Sequence, residues 1–270
     1  MIYLDGRFVA QTKKQLDKLT PGRVRGRGVF ETMRAQGQRI LFLKEHLVRL
    51  HKGLGLLRIP SPYRAKDYEG IVHACLARAG FRCSRVRLMV WRPSSKIHVA
   101  VVVTPYRPLS LLRYKKGYQV GISRRSLDPR DLLFAIKSIH YKKFYMAYQS
   151  AVRSGLDDVI LLDRQGHVIE TSRANIFLIT QGKILTPHLR YGCLDGITRR
   201  KVVRMARGQG IPCRETKITA RDLVDADEVF CTNSLIGIMP LARIDQVTVG
   251  SGVMGPMTKK LWQKYQRYID

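Results

Sequence analysis

Hydrophobic and polar positions along the chain switch repeatedly between a two-residue and a helical period. "IYLDGRFV" predicts a hairpin turning at Asp5-Gly6. "GVFETMRA" and "RILFL" predict paired strands, and "FLKEHLVRLHKGLGLL" places Leu43, Leu47, Leu50 and Leu54 on one helical stripe. "YRAKDYEGIVHACLARAG" predicts a second helix that ends at a glycine suited to a C-cap. Two strands follow, "SRVRLMVWR" and "IHVAVVVTP", joined by a short Pro-Ser-Ser turn. "YRPLSLLRYKKG" has prolines and cations without a clear period and predicts a linker.

Beyond it, "YQVGISRR" predicts a strand, and the apolar run "LLFAI" leads through Lys137 into a helix with Phe144, Ala147, Tyr148 and Ala151 on one face. "DDVILLDRQGHVIETS" reads as strand, turn, strand, and "NIFLITQGKILTP" as a hairpin turning at Gln181-Gly182. "GITRRKVVRMARGQG" predicts a helix, "DEVFCTNSLIGIMPL" two strands around a polar loop, and "MTKKLWQKYQRYI" a closing amphipathic helix. Hairpins outnumber isolated βαβ units, so the expected class is α+β with mixed sheets. "GRVRGRG" precedes a strand rather than opening a helix, which argues against a dinucleotide fingerprint. The expected organisation is a small N-terminal α/β domain over 1–106, a linker over 107–117 and a larger domain over 118–270.

Composition changes this picture in one respect. The chain has 270 residues, ample for two cores, and hydrophobic content of 45% is ordinary for a globular protein. Lys and Arg number 49 against 20 Asp and Glu, a formal net charge of +29. Such a field draws phosphates, carboxylates and nucleic acid. The cations are spread along the whole chain, with no basic arm and no reading motif, so nucleic acid is expected to bind only non-specifically. No apolar run is long enough to span a bilayer, and "MIYLDGRFVA" lacks a signal-peptide profile. Five scattered cysteines without a CxxC point to neither a metal site nor a disulfide framework. A cytoplasmic enzyme or binding protein without a metal is the expectation.

Candidate chemistry starts at Lys137, an amine at the junction of an apolar segment and a helix. Glu170 ends the strand "HVIE", Arg49 lies on the helix "KEHLVRL", and "GIT" at 196–198 opens a helix whose first N–H groups suit a phosphate. "CTNS" at 231–234 adds hydroxyls and an amide after a strand. Singly, each of these is ordinary: a surface charge, a turn, a cap. Jointly they offer an amine for an aldehyde, a carboxylate for a ring nitrogen, and an arginine and helix N-terminus for a phosphate ester. Pyridoxal 5'-phosphate is the cofactor with those needs.

The order of the segments resembles the fold-type IV, or class IV, pyridoxal-phosphate enzymes, a group holding branched-chain and D-amino acid transaminases and 4-amino-4-deoxychorismate lyases. The resemblance runs from "YLDGRFV" to the last helix, and "GHVIETSRANIFLI" is its most specific segment. It implies a two-domain, D-amino acid aminotransferase-like architecture with cofactor at the domain interface. It further implies Lys137 as the covalent attachment point and catalytic base, Glu170 on the pyridine nitrogen, and Arg49, Ile197, Thr198 and Thr232 on the phosphate. Tyr141 would contact the cofactor's phenolic oxygen. A lysine working as a base needs its charged form destabilised, which burial and neighbouring cations supply. Phe30, Thr32, Arg92 and His140 are candidate substrate contacts, although an isolated histidine such as His140 is expected to pack. A homodimer is implied.

The reaction is less constrained. D-amino acid transaminases usually keep a tyrosine where Phe30 stands, and branched-chain enzymes favour a glycine where Thr32 stands. The compact length and "FETMR" are more similar to the aminodeoxychorismate lyases, whose substrate is a small dicarboxylate. The expected activity is release of pyruvate and 4-aminobenzoate for folate synthesis, with an L-amino acid transaminase as the alternative. A basic binding protein on a retained fold is a third reading, and the joint presence of Lys137, Glu170 and Arg49 argues against it.

Overall fold

The computed structural model describes residues 1–123, 125–128, 130–131, 133 and 136–269. Two compact units divide the chain: Met1–Pro108 with Ile136–Lys143, and Leu109–Ala135 with Phe144–Asp270.

The first unit contains β1 (Ile2–Leu4), β2 (Arg7–Val9), α1 (Lys13–Lys18), β3 (Arg27–Gln36), β4 (Arg39–Ile40), α2 (Leu43–Leu56), α3 (Ala65–Ala79), β5 (Cys83–Arg92) and β6 (His98–Pro105). Its strands form one antiparallel sheet in the order β2-β1-β6-β5-β3-β4. Asp5 and Gly6 both take positive φ, the backbone that a tight two-residue hairpin requires. Alternation along β3 divides its side chains between two faces. Val29, Glu31, Met33 and Ala35 share the face toward α2, whose Leu47, Leu50 and Leu54 are buried. Phe30 lies on the other face in a cluster with Met89, Trp91, Ala100, Val102 and Ile139. "RILFL" departs from its expected strand after Ile40. Phe42 enters the left-handed region at φ 59° and turns the chain into α2.

The second unit contains α4 (Leu111–Lys116), β7 (Tyr118–Ile122), most of α5 (Lys142–Arg153), β8 (Asp158–Leu162), β9 (Val168–Thr171), β10 (Asn175–Thr180), β11 (Lys183–Pro187), α6 (Ile197–Arg207), β12 (Cys213–Thr216), α7 (Ala220–Val224), β13 (Glu228–Asn233), β14 (Gly237–Ile244), β15 (Val247–Thr248) and α8 (Pro256–Ile269). Its sheet runs β12-β11-β10-β13-β14-β7-β8-β9, with β15 on β14, and mixes parallel and antiparallel pairs. Its core gathers Val120, Ile160, Ile176, Leu178, Met239 and Leu241. The fold is α+β with a mixed sheet, as the sequence implied.

Two segments differ from the expected organisation. The stretch 107–117 carries α4, capped by Ser110 and anchored by buried Tyr114, whose hydroxyl donates to the Ile236 carbonyl at 2.7 Å. Residues 136–143, expected with the second domain, group with the first unit because their backbone bonds run to β3. Of the apolar run expected to lead as a strand into Lys137, residues 132, 134 and 135 lie outside the described residues. No helix among the described residues is long and apolar enough to cross a membrane.

Candidate functional site

In the first unit the Lys137 segment docks as a short extra strand along the free edge of β3. The Phe30 N–H donates to the Lys137 carbonyl at 2.8 Å, the Ile139 N–H donates to the Gly28 carbonyl at 3.0 Å, and Ser138 bridges Val29. This fixes the lysine backbone beside Phe30. The Lys137 Nζ then lies 4.7 Å from the Phe30 ring centre and 5.9 Å from that of Tyr141. Tyr141 stands edge-on to Phe30 at 5.4 Å and 81°. An ammonium over an aromatic face gains about 0.5–2 kcal/mol.

Behind this face lies a group that sequence reasoning missed. Glu31 is buried and accepts two hydrogen bonds from Arg49, Nε to Oε1 at 2.8 Å and Nη2 to Oε2 at 2.6 Å. Buried His46 adds Nδ1 at 2.7 Å from Oε2. Burial alone would raise the Glu31 pKa, but the Arg49 charge and bonds outweigh it and bring it down to about 2. Burial pushes the His46 pKa down against the pull of Glu31. His46 lies within electrostatic reach of both Arg49 and Lys137, so the three cation-capable groups share one neighbourhood. A sequence signal existed: Glu31 sits at an inward position of β3, and a buried carboxylate needs a cation. His46 and Arg49, three residues apart on one helical face, supply it.

Other candidates fall unevenly. Thr32 is on the Phe30 face, opposite Arg87 in register. Arg92 pairs with Arg27, and two-residue alternation puts it on the opposite face of β5 from Met89 and Arg87, away from Phe30. His140 is exposed rather than packed, its backbone N–H held by the Ser138 hydroxyl at 3.1 Å.

In the second unit Glu170 is the penultimate residue of β9, and its Oε2 accepts from Asn175 Nδ2 at 3.1 Å and from the Leu194 N–H at 3.3 Å. Asn175 Nδ2 also donates to the Leu194 carbonyl at 2.7 Å. Asn175 therefore clamps the carboxylate to the loop that leads into α6. At the start of that helix Gly196 is the N-cap and makes no side-chain cap bond. A Cβ at Gly196 would lie 1.9 Å from Asn175 Oδ1, so only glycine lets the helix end and the clamp approach each other.

Ile197 and Thr198 open α6, both buried. The Thr198 Oγ1 is buried without a hydrogen-bond partner, and so is the Thr232 Oγ1 of β13, directly opposite Asn175 in register. Leaving a buried hydroxyl unsatisfied costs about 1–3 kcal/mol. Two such hydroxyls in the unit that also offers an uncapped helix N-terminus suit an oxyanion rich in acceptor oxygens. Asp158 holds the segment just after Glu170, accepting from the Thr171 hydroxyl at 3.0 Å and from the Ser172 hydroxyl.

Residues 28–244 match the family model for Amino-transferase class IV. A candidate branched-chain-amino-acid aminotransferase of Methanocaldococcus jannaschii is 31% identical, over 98% of this chain and 95% of its own. The branched-chain aminotransferase of Thermoproteus uzoniensis, in a crystal structure with norvaline, is 29% identical with a TM-score of 0.85, covering 98% of this chain and 93% of its own. A candidate 4-amino-4-deoxychorismate lyase from Legionella pneumophila is 25% identical with a TM-score of 0.83, covering 90% and 91%.

Proposed function

The chain belongs to the class IV aminotransferase family and is a pyridoxal-phosphate-dependent enzyme, and from that premise we propose a role for each site residue. When bound, pyridoxal phosphate supplies an aldehyde that captures an amine and a ring that withdraws electrons from the substrate's alpha carbon. Lys137 is the amine offered to that aldehyde. With its amine free, Lys137 Nζ would hold and move the proton at the substrate's alpha carbon. The Glu170 carboxylate accepts the N–H of the ring nitrogen, and its negative charge favours the proton there. The bonds from Asn175 and Leu194 keep that carboxylate in one orientation.

The Thr198 and Thr232 hydroxyls and the first N–H groups of α6, from Ile197 and Thr198, hold the phosphate. Arg49 contributes its guanidinium, kept extended by Glu31. Tyr141 donates to the phenolic oxygen. The observation that carries this reading is the pair of buried, unpartnered threonine hydroxyls, whose cost an acceptor-rich ester removes.

Amino transfer between a small amino acid and a 2-oxo acid is the reaction we put first, supported by the likeness to aminotransferases along 98% of the chain. The 4-amino-4-deoxychorismate lyase reaction, favoured by the sequence alone, stands second. It is supported by Thr32, a side chain on the Phe30 face where branched-chain enzymes favour glycine. Incubation with amino donors and 2-oxoglutarate separates the two. Transfer that depends strictly on the acceptor supports the first; pyruvate release from aminodeoxychorismate with no acceptor present replaces it with the second. A homodimer completes the proposal, and sedimentation velocity reads it.

A further inference from the structure

The Glu170 carboxylate and the amide that clamps it stand at the two ends of one tight turn. Glu170 precedes Thr171 in β9 and Asn175 opens β10, so the 3.1 Å bond between them depends on the path of residues 171–174. Within that path the Thr171 N–H donates to the Ala174 carbonyl at 2.8 Å. The Ala174 N–H donates to the Thr171 hydroxyl at 2.9 Å. From outside it, Asn233, the neighbour of Thr232 in β13, donates through Nδ2 to the Arg173 carbonyl at 3.2 Å. One short segment therefore joins the carboxylate to the strand that carries a buried, unpartnered hydroxyl.

The same turn is held by Asp158, the first residue of β8, which is buried. Its Oδ2 accepts from the Thr171 hydroxyl at 3.0 Å, and its Oδ1 accepts from the Ser172 hydroxyl and from the Val159 N–H at 2.8 Å. Arg173 Nε stands 3.8 Å from Oδ2. Burial raises the Asp158 pKa, and the Arg173 charge leads the groups that pull it back. A hairpin closes without a buried charge, and such a charge is costly to keep. What a carboxylate alone offers is two acceptor oxygens for two hydroxyls that are themselves buried; an amide would turn a donor toward one of them.

We propose that Asp158 is a positioning residue for the ring nitrogen of the cofactor. By holding the Thr171 and Ser172 hydroxyls it sets the turn that aims Glu170, and so sets how firmly the ring nitrogen keeps its proton. This rests on the role given above to Glu170. The hold of a carboxylate on its partner's proton weakens steeply with distance and angle. A slightly relaxed turn therefore loosens that hold while the phosphate contacts given to Thr198 and Thr232 stay in place. Asp158 acts through Glu170, not on the reacting atoms.

Nitrogen-15 NMR of the enzyme loaded with ring-labelled pyridoxal phosphate reads that proton apart from turnover. The unmodified enzyme should show a protonated ring nitrogen near neutral pH. In Asp158→Asn, which preserves shape, the resonance should move at least about a third of the way toward the neutral ring, with cofactor affinity kept within about threefold. Thr171→Val should move it in the same direction, and Thr171→Ser, which keeps the hydroxyl, should not. A resonance unmoved in Asp158→Asn, or in Thr171→Val if Asp158→Asn does not fold, overturns the proposal whatever happens to the melting temperature, because Asp158 would then serve the fold alone. Glu170→Gln keeps the two readings apart. If it strips the proton from the ring nitrogen while the Asp158 and Thr171 changes do not, this inference alone fails. A ring nitrogen that stays protonated in Glu170→Gln removes the parent reading and this one together.

Discussion

Glu31 carries more of the first unit's electrostatics than its single charge suggests. It is the acceptor for Arg49 twice and for His46 once, in a space that excludes water. Removing the charge leaves the partly buried Arg49 mismatched beside buried His46, so Glu31→Gln should lower stability by about 3 kcal/mol, read by urea unfolding. A pH dependence follows from its depressed pKa. The ionised carboxylate contributes fully above the unfolded value near 4.5, and that contribution fades as pH falls toward about 2. Unfolding free energy measured between pH 5 and 2 should therefore fall more steeply in the unmodified protein than in Glu31→Gln. Parallel slopes would contradict the assignment. At this scale motif order in the sequence nominated Lys137, Glu170, Arg49 and the threonines as candidates, but it left Glu31 and Asn175 unread. Their roles depend on which face of a strand they occupy and on what another element brings opposite.

At the scale of elements, the N-terminus of α6 joins stability to cofactor affinity with opposite signs. Thr198→Val and Thr232→Val delete hydroxyls that have no partner in the protein itself. The cofactor-free protein should keep its melting temperature or gain slightly, whereas cofactor affinity should weaken about tenfold for each change. Equal loss of both quantities would mean that the hydroxyls serve the fold instead. Gly196→Ala should be worse than either, because the added methyl displaces Asn175 and with it the hold on Glu170; equilibrium dialysis of the cofactor reads the loss. Hairpins with Asp5-Gly6 and Gln181-Gly182 were legible because their turn residues demand positive φ. The helix α4 and the strand β12 were not. Both are short, and β12 is held by parallel pairing with β11, a partner that no local pattern names.

For the molecule as a whole, the net charge of +29 becomes a kinetic statement. A diffuse positive field speeds the arrival of anionic substrates and is screened by salt. The kcat/KM for a dicarboxylic donor should fall about three- to tenfold between 20 and 300 mM salt, with kcat nearly unchanged. A neutral-side-chain donor should respond less; identical salt slopes would assign the field no part in substrate capture. The grouping of residues 136–143 with the first unit was hidden from the sequence, since edge pairing along β3 is a long-range choice. The central claim is that the cofactor is tethered through Lys137, and the most direct measurement is borohydride reduction of the cofactor-loaded protein followed by peptide mapping by mass spectrometry. One pyridoxyl group per chain on the peptide carrying Lys137, absent in Lys137→Ala, is the predicted result. A label on another lysine, or a chain that takes up no cofactor at all, would contradict the account.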